Sequence, residues 1–408
     1  MMKILHLSKE DTGGAGTAAM RLHRTMVNTG LDSNFLCLNK TTEEDRVVQH
    51  PKFYPRFYHR IIARFGLPLT RTEINDKRLN KITNHIEPEM YSFPETDYKI
   101  HEHELFKHAD IVIIHWIAGF LDYESFFKNI PEQKKVYWYT HDFSSIMGGF
   151  HMRFDENRFN TQTLLAHELK LKQRKKKYLL NYKGLNFIAN SSYTARVLKS
   201  SDMIKNQEIH CIPLGLPRNE FSKIDKSKAK EVLGFNQTDF IVLTASTSID
   251  CKRKGFDRLH DAFESHPDLK DNCIVMTLGS DVPENNENIN FKHMGSVWNP
   301  IFKSIIFSAA DVVVSTSYEE TFGQTIIEGY ACGTPAIVFN NAALPELVIP
   351  DETGYIVNNI DEFARSLSIL VSNRVQTLTM GHNAYRLFKE KYTSESQLQK
   401  LVKLFNTN

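Results

Sequence analysis

Short runs rich in Val, Ile, Leu and Phe alternate along the chain with longer stretches whose apolar positions recur every three or four residues. The short runs suit strands buried on both faces, and the longer stretches suit amphipathic helices. In the first half the strand-like runs are Lys3–Ser8, Asn34–Leu38, Asp110–His115, Lys135–Thr140 and Asn186–Asn190. The second half repeats the pattern at Phe240–Ala245, Cys273–Leu278, Ile289–Met294, Asp311–Thr316 and Ala336–Phe339. Such alternation predicts an α/β fold with a doubly wound parallel sheet in each half.

The 408 residues are enough for two or three domains of about 150 residues. A strand-like IHCIP runs into Gly215 and Pro217, which places the joint within 211–221. The expected domains are 1–214 and 215–385, with a last helix at 386–408. In that helix Ser394 and Gln397 have the spacing of a capping box, and Leu398, Leu401, Val402 and Phe405 form one apolar stripe. The stripe must pack on something, and it is expected to cross back to the first domain.

Fifty basic side chains against forty-eight acidic ones leave +2, so no charge field draws the protein to nucleic acid. Five cysteines, none in a CxxC pair, argue against a disulfide scaffold and a thiolate zinc site. The opening MMKILHLSKED has too short an apolar core for a signal peptide, and His115 breaks the longest apolar stretch, Ile111–Leu121. A cytoplasmic protein is expected.

Candidate chemistry in the first half starts after the first strand, at DTGGAGTAAMRL. Gly13, Gly14 and Gly16 let the backbone approach a ligand, and the helix that follows offers N–H groups to an anion or acceptor. They equally suit a plain strand-to-helix turn, since Ala19 stands where a dinucleotide fingerprint ends in glycine. His141 and Asp142 end the strand WYT, at the edge where α/β sheets gather ligands. His141 has the chemistry to bind a sugar hydroxyl or relay a proton; an Asp–His pair capping a loop is the alternative. The chain has no Asp-x-Asp to hold a metal against a diphosphate, so no metal is expected.

The richest stretch is DVVVSTSYEETFGQTIIEGYACGTPAIVF, residues 311–339. Glu320 lies in the loop after a strand. Gly323 turns the chain into a helix starting near Gln324, and Glu328 follows one turn on. The backbone N–H groups of Gly323, Gln324 and Thr325 suit a phosphate, and the two carboxylates suit neutral hydroxyls. Lys252, Arg253 and Lys254 follow the strand ending at Ala245 and stand just before Gly255. Fixed cations there would stabilise the charge growing on a departing diphosphate. A basic triplet is usually a solvated loop, but its place between strand and helix favours the site.

EETFGQTIIEGYACGTP resembles the Glu-x7-Glu signature of the retaining nucleotide-sugar glycosyltransferases of family 4, the group 1 transferases of the GT-B fold. The resemblance also takes in the glycine turn, THD at 140–142, IANSSYTARVL at 188–198, CIPLG at 211–215, RKGF at 253–256 and LPELVIPDETGYIV at 344–357. It implies two Rossmann-like domains facing across a cleft, the first binding acceptor and the second a UDP- or GDP-sugar. It implies that Glu320 holds the sugar, Glu328 the ribose and Lys254 the diphosphate, while His141 contacts the donor sugar. Phe322, Gly323, Gln324 and Thr325 lie within the donor-binding signature. No metal or other cofactor is implied.

Three departures stand out. Thr247 and Ser248 occupy the place of a Gly-Arg pair, so Arg253 or Lys252 is expected to supply the second cation. Ala342-Ala343 replaces a Gly-Gly pair, and Leu214 replaces an Asn. Gly148-Gly149-Phe150-His151 stands where a related group has Gly-Gly-Cys-His.

The expected activity is sugar transfer with retention to a glycan or lipid-linked glycan, in bacterial surface polysaccharide synthesis. A non-catalytic scaffold subunit of the same fold and a sugar-nucleotide epimerase are the alternatives. Within 52–65, Arg56, Arg60 and Arg64 recur beside a row of Phe53, Phe57, Ile61 and Phe65. Residues 170–177 add six cations in eight positions. Both segments suit contact with an anionic membrane at the inner face of the cell membrane, and also suit ordinary domain packing.

Overall fold

The structure is a computed structural model that describes residues 2–52, 64–66, 70–83, 86–282 and 289–407. The amphipathic segment expected at 52–65 lies outside the described residues over 53–63. The chain divides into two compact units, Met1–Ile212 and Pro213–Asn408.

Among the described residues the first unit has a sheet of seven parallel strands, in the order β3-β2-β1-β4-β5-β6-β7. They are β1 (Lys3–Glu10), β2 (Asp32–Asn39), β3 (Val47–Gln49), β4 (Ile111–Ile114), β5 (Lys135–Thr140), β6 (Leu185–Ala189) and β7 (Ile209–Cys211). Among the described residues the second unit has six, ordered β10-β9-β8-β11-β12-β13. These are β8 (Ile241–Ala245), β9 (Ile274–Leu278), β10 (Phe291–His293), β11 (Val312–Ser315), β12 (Ala336–Phe339) and β13 (Gly354–Val357). Every expected strand is present with its ends within two residues of the expected ones. β7 falls on the strand-like IHCIP, whereas short β3 and β13 were not expected as strands.

Parallel strands covered on both faces have no solvent side, so they read as unbroken apolar runs. All of Ile111–Ile114 and all of Ala336–Phe339 are buried. Both sheets reverse their strand order once, between β1 and β4 and between β8 and β11. Crossovers leave in opposite directions there, which opens a crevice at the carboxyl ends of the strands. The feet of β8 and β11 are tied by Asp311, whose Oδ2 accepts from Lys230 Nζ and from the Ile241 amide, each at 2.9 Å.

The helix Ser394–Thr407 buries Leu398, Leu401, Leu404 and Phe405. Its cap differs from the expected one. Thr393 Oγ1 accepts from the Ser396 amide at 3.2 Å, so the cap stands one residue earlier. Gln397 instead accepts from the Gly215 amide at 3.1 Å, joining the helix to the first loop of its own unit. The cationic run 170–177 lies on the helix Gln162–Asn181. Lys172, Arg174 and Lys176 pair with Glu156, Glu95 and Asp202. Lys175 is buried and donates to the carbonyls of Ser144 (2.9 Å) and Met147 (3.1 Å). Only Lys170 and Lys177 of the six are exposed.

Candidate active site

β8 and β11 end side by side at the switch point of the second sheet, and an open recess lies there. Ala245 and Ser246 line it from the first strand, Ser315 to Ser317 from the second. Lys254, Glu320 and Thr325 complete it from three separate segments.

Lys254 is delivered by a tight turn. Lys252–Lys254 form one 3₁₀ turn closed by Gly255, whose φ of +68° suits glycine. A Cβ at Gly255 would sit 2.3 Å from the Thr316 carbonyl oxygen, so only glycine lets the two loops meet. Lys254 Nζ then lies 2.6 Å from Glu320 Oε1. Arg253 Nη1 donates to the Glu319 carbonyl at 2.7 Å and lies 3.6 Å from Glu320 Oε1. Ser317 Oγ donates to the same oxygen at 3.3 Å. Two guanidinium or ammonium charges therefore face one carboxylate in a largely buried place. The surplus positive charge suits an anion there.

Gly323, at φ +104°, caps the helix Gln324–Ala331. A Cβ there would press against Leu344 and Leu347 at 3.0 Å. Phe322 is buried edge-on against Tyr392, fixing the loop before the turn. Thr325, in the first turn, reaches the recess. Glu328 is buried within the helix and is not among the residues lining the recess. Arg253 is not a solvated loop residue: it is buried, and its guanidinium contacts the backbone and carboxylate of the Glu319–Glu320 segment.

Sequence reasoning missed several participants. Arg258 lies 3.7 Å over the Tyr318 ring and donates to the Thr316 carbonyl at 3.2 Å, clamping the loop that carries Glu320. Thr244, Ser246, Thr316 and Ser317 bring small hydroxyls to the recess. Ser246 Oγ is buried there without a hydrogen-bond partner among the described residues. The run TASTS at the end of β8 carried that signal.

Ala342 has a φ of 53°, so the backbone keeps the left-handed form that a glycine would take. Ala343 donates its amide to the Glu320 carbonyl at 3.1 Å, so the Ala-Ala pair keeps its grip on the site loop. The cost is strain of about 1 kcal/mol for a side chain in that region. Ala342→Gly is expected to raise stability by up to about 1 kcal/mol, less the glycine's extra freedom when unfolded. A lower melting temperature in that variant would show that the alanine is not strained.

In the first unit Gly13 opens the helix Gly13–Asn28 with φ +71°. A Cβ at Gly16 would lie 2.6 Å from the Glu10 carbonyl, so this glycine seats the helix on the end of β1. His141 and Asp142 follow β5. Burial tends to push the Asp142 carboxyl up, but His151 and Ser144 outweigh it and bring it down to about 2. His151 Nδ1 is 2.5 Å from Asp142 Oδ2, and Ser144 donates its amide and hydroxyl to Oδ1 at 2.9 and 2.6 Å. Asp142 thus fastens the loop 142–151. Burial lowers His141 to about 4 even though Asp142 works the other way.

A recess lined by Lys254 and Glu320 at the switch point of a doubly wound sheet, beside a glycine-opened helix, stands where open α/β sheets gather ligands. Residues 225–387 match the family described as glycosyl transferases group 1, so the second unit carries a group 1 glycosyltransferase domain. The capsular polysaccharide biosynthesis glycosyltransferase CapM of Staphylococcus aureus is 25% identical over 237 residues, 54% of this chain and 61% of that protein. A D-inositol 3-phosphate glycosyltransferase of Rhodococcus opacus strain B4 is 36% identical over 83 residues, 20% of this chain and 19% of that protein. The chain thus spans 61% of the first relative's length and 19% of the second's. HepE of Anabaena, solved in complex with UDP and glucose, has a TM-score of 0.67 at 16% identity, with 100% of both chains covered. The fold is the GT-B type of such structures. Among the described residues no helix is long and apolar enough to cross a membrane.

Proposed function

We propose that the protein transfers a sugar from a UDP- or GDP-sugar to a glycan or lipid-linked glycan acceptor, with retention of configuration and without a metal. The observation that carries this is the meeting of Lys254, Glu320 and Thr325 in one recess of the domain that matches the group 1 family. In this reading the diphosphate lies on the N–H groups of Gly323 to Thr325 and draws Lys254 from Glu320. Glu320 is left to hold sugar hydroxyls, and Glu328 holds the ribose. As the diphosphate leaves, the acceptor hydroxyl approaches on the same face, and a phosphate oxygen takes its proton. The O–H bond breaks, the glycosidic bond to the diphosphate breaks, and a new glycosidic bond forms. The first unit, with Gly13, Gly14, Gly16 and His141, is read as the acceptor side and the contact to the donor sugar.

CapM's role in capsular polysaccharide biosynthesis and HepE's complex with UDP and glucose support a surface polysaccharide as product and a UDP-sugar as donor. A cytoplasmic place at the inner membrane face fits that reading. Membrane contact rests on 52–65 and on Lys170 and Lys177, because their neighbours in the cationic run are engaged within the protein. Failure to sediment with anionic vesicles at low salt would remove it.

The test is a thermal-shift screen of UDP- and GDP-sugars, followed by hydrolysis of the best one in the presence of EDTA. A ligand at about a hundred times its Kd adds about 2.7 kcal/mol of stability. A scaffold subunit would release no nucleoside diphosphate, and the anomeric form of the released sugar reports retention. Glu328→Ala is expected to weaken binding of free UDP or GDP, since a ribose contact persists through the reaction. Glu320→Gln is expected to lower turnover with nucleotide binding little changed. Equal nucleotide affinity in both variants and the wild type would reverse this division of roles.

A further inference from the structure

Three histidines run in line through the first unit, from Met26 to the carboxyl end of β5. His6 lies on β1, His115 follows β4, and His141 follows β5. His6 Nε2 is 3.4 Å from Met26 Sδ, and His6 Nδ1 is 2.9 Å from His115 Nε2. His115 Nδ1 is in turn 2.9 Å from His141 Nε2. The sheet builds this line, because β1, β4 and β5 are neighbours in register. Phe35 stacks on His6, and Tyr139 stacks on both His115 and His141. His23 meets His6 edge-on and turns its own Nδ1 to Ser33 Oγ at 2.8 Å.

A thioether sulfur has no hydrogen to give, so the nitrogen facing Met26 must carry the proton. The reverse would set two lone pairs against each other. A neutral imidazole has one N–H, and burial holds His6 and His115 well below 6.5, with His141 at about 4. Each ring therefore has one proton to place at neutral pH. With its proton on Nε2, His6 offers a lone pair at Nδ1, and His115 must donate to it from Nε2. His115 then offers Nδ1, and His141 must donate from Nε2.

We propose that this chain fixes His141 as the Nε2–H tautomer, so that its Nδ1 is an acceptor. Met26, His6 and His115 are positioning residues for it. An acceptor nitrogen recognises a hydroxyl, such as one on a sugar ring, and not a phosphate oxygen that bears no proton. This last step rests on the reading that His141 meets the donor sugar; the tautomer does not.

The experiment is a long-range ¹H–¹⁵N correlation spectrum of the full chain labelled with ¹⁵N-histidine at pH 7.5, with His141 assigned by its loss in His141→Asn. The expected result is a protonated Nε2 and a bare Nδ1 on His6, His115 and His141. A proton on His141 Nδ1, or on both nitrogens, overturns the proposal. Met26→Leu keeps the volume and removes the acceptor, so it should fold and show His141 as a mixture of tautomers. An unchanged spectrum in that variant overturns the role of the sulfur. The spectrum is read without ligand, whereas activity of His141→Asn on UDP-glucose tests only the sugar contact, so the two readings fail separately.

Discussion

Lys254→Ala is expected to cut turnover on a nucleotide-sugar about a hundredfold, close to 3 kcal/mol of transition-state stabilisation, as for loss of one fixed donor to a growing anion. The reason lies in the pairing at the recess. Without ligand the ammonium is 2.6 Å from Glu320, and Arg253 stays behind at 3.6 Å, its guanidinium already bound to the Glu319 carbonyl. Arg253 is therefore poorly placed to replace the lost charge. Glu320 keeps Ser317 and Arg253 as partners, so the fold should survive the change. Steady-state kinetics with UDP-glucose, alongside a melting curve, checks both parts. A kcat/KM within about threefold of the wild type, with the fold intact, would take Lys254 out of the chemistry.

Acid should unfold the first unit well before ordinary carboxylates protonate. Burial holds His6 and His115 well below 6.5 and lowers His23 to about 4. The folded values lie below the unfolded one, so the unfolded chain takes up protons first. Stability from these groups is therefore intact above about pH 6.5 and falls as pH drops toward 4. His23 alone accounts for about 3 kcal/mol over its fall from 6.5 to about 4. His6 and His115 act in the same direction, and a domain has only about 5–15 kcal/mol to lose. Asp142, lowered to about 2, adds a further loss as pH falls below about 4. Denaturant melts from pH 7.5 to 4.5 test this. A flat stability over that interval would mean that the buried imidazoles do not stay neutral in the fold.

Both predictions draw on features of very different legibility. The recess was open to reading because it is local: Glu320, Gly323 and Glu328 lie within nine residues, and glycine marks the turn with φ +104°. The long buried strands were legible for a similar reason, since β4 and β12 are apolar at every position. β3 and β13 have only three or four residues each, and pairing with a neighbouring strand defines them more than their own pattern does. The cationic run 170–177 was read as suiting an anionic membrane or domain packing, yet Lys175 is buried on two carbonyls that its sequence neighbours do not announce. The helix cap stands at Thr393 and not Ser394, and Gln397 accepts from Gly215, 182 residues away, a partner that nothing near it in the sequence announces.

By itself the sequence determined what depends on neighbours along the chain: the alternation of strand and helix, the glycine turn at Gly323, and the Glu-x7-Glu spacing. Backbone sterics and hydrophobic periodicity act over a few residues, so a few residues carry them. The tertiary structure decided who meets whom. His6 and His115 are 109 residues apart, and His115 and His141 are 26 apart, yet adjacent parallel strands bring their rings within hydrogen-bond distance. Ala342 takes a left-handed backbone that alanine does not signal, because the Glu320 loop holds it there through the amide of Ala343. Burial and cross-strand contact set these protonation states and this strain, and neither exists until the sheet has closed.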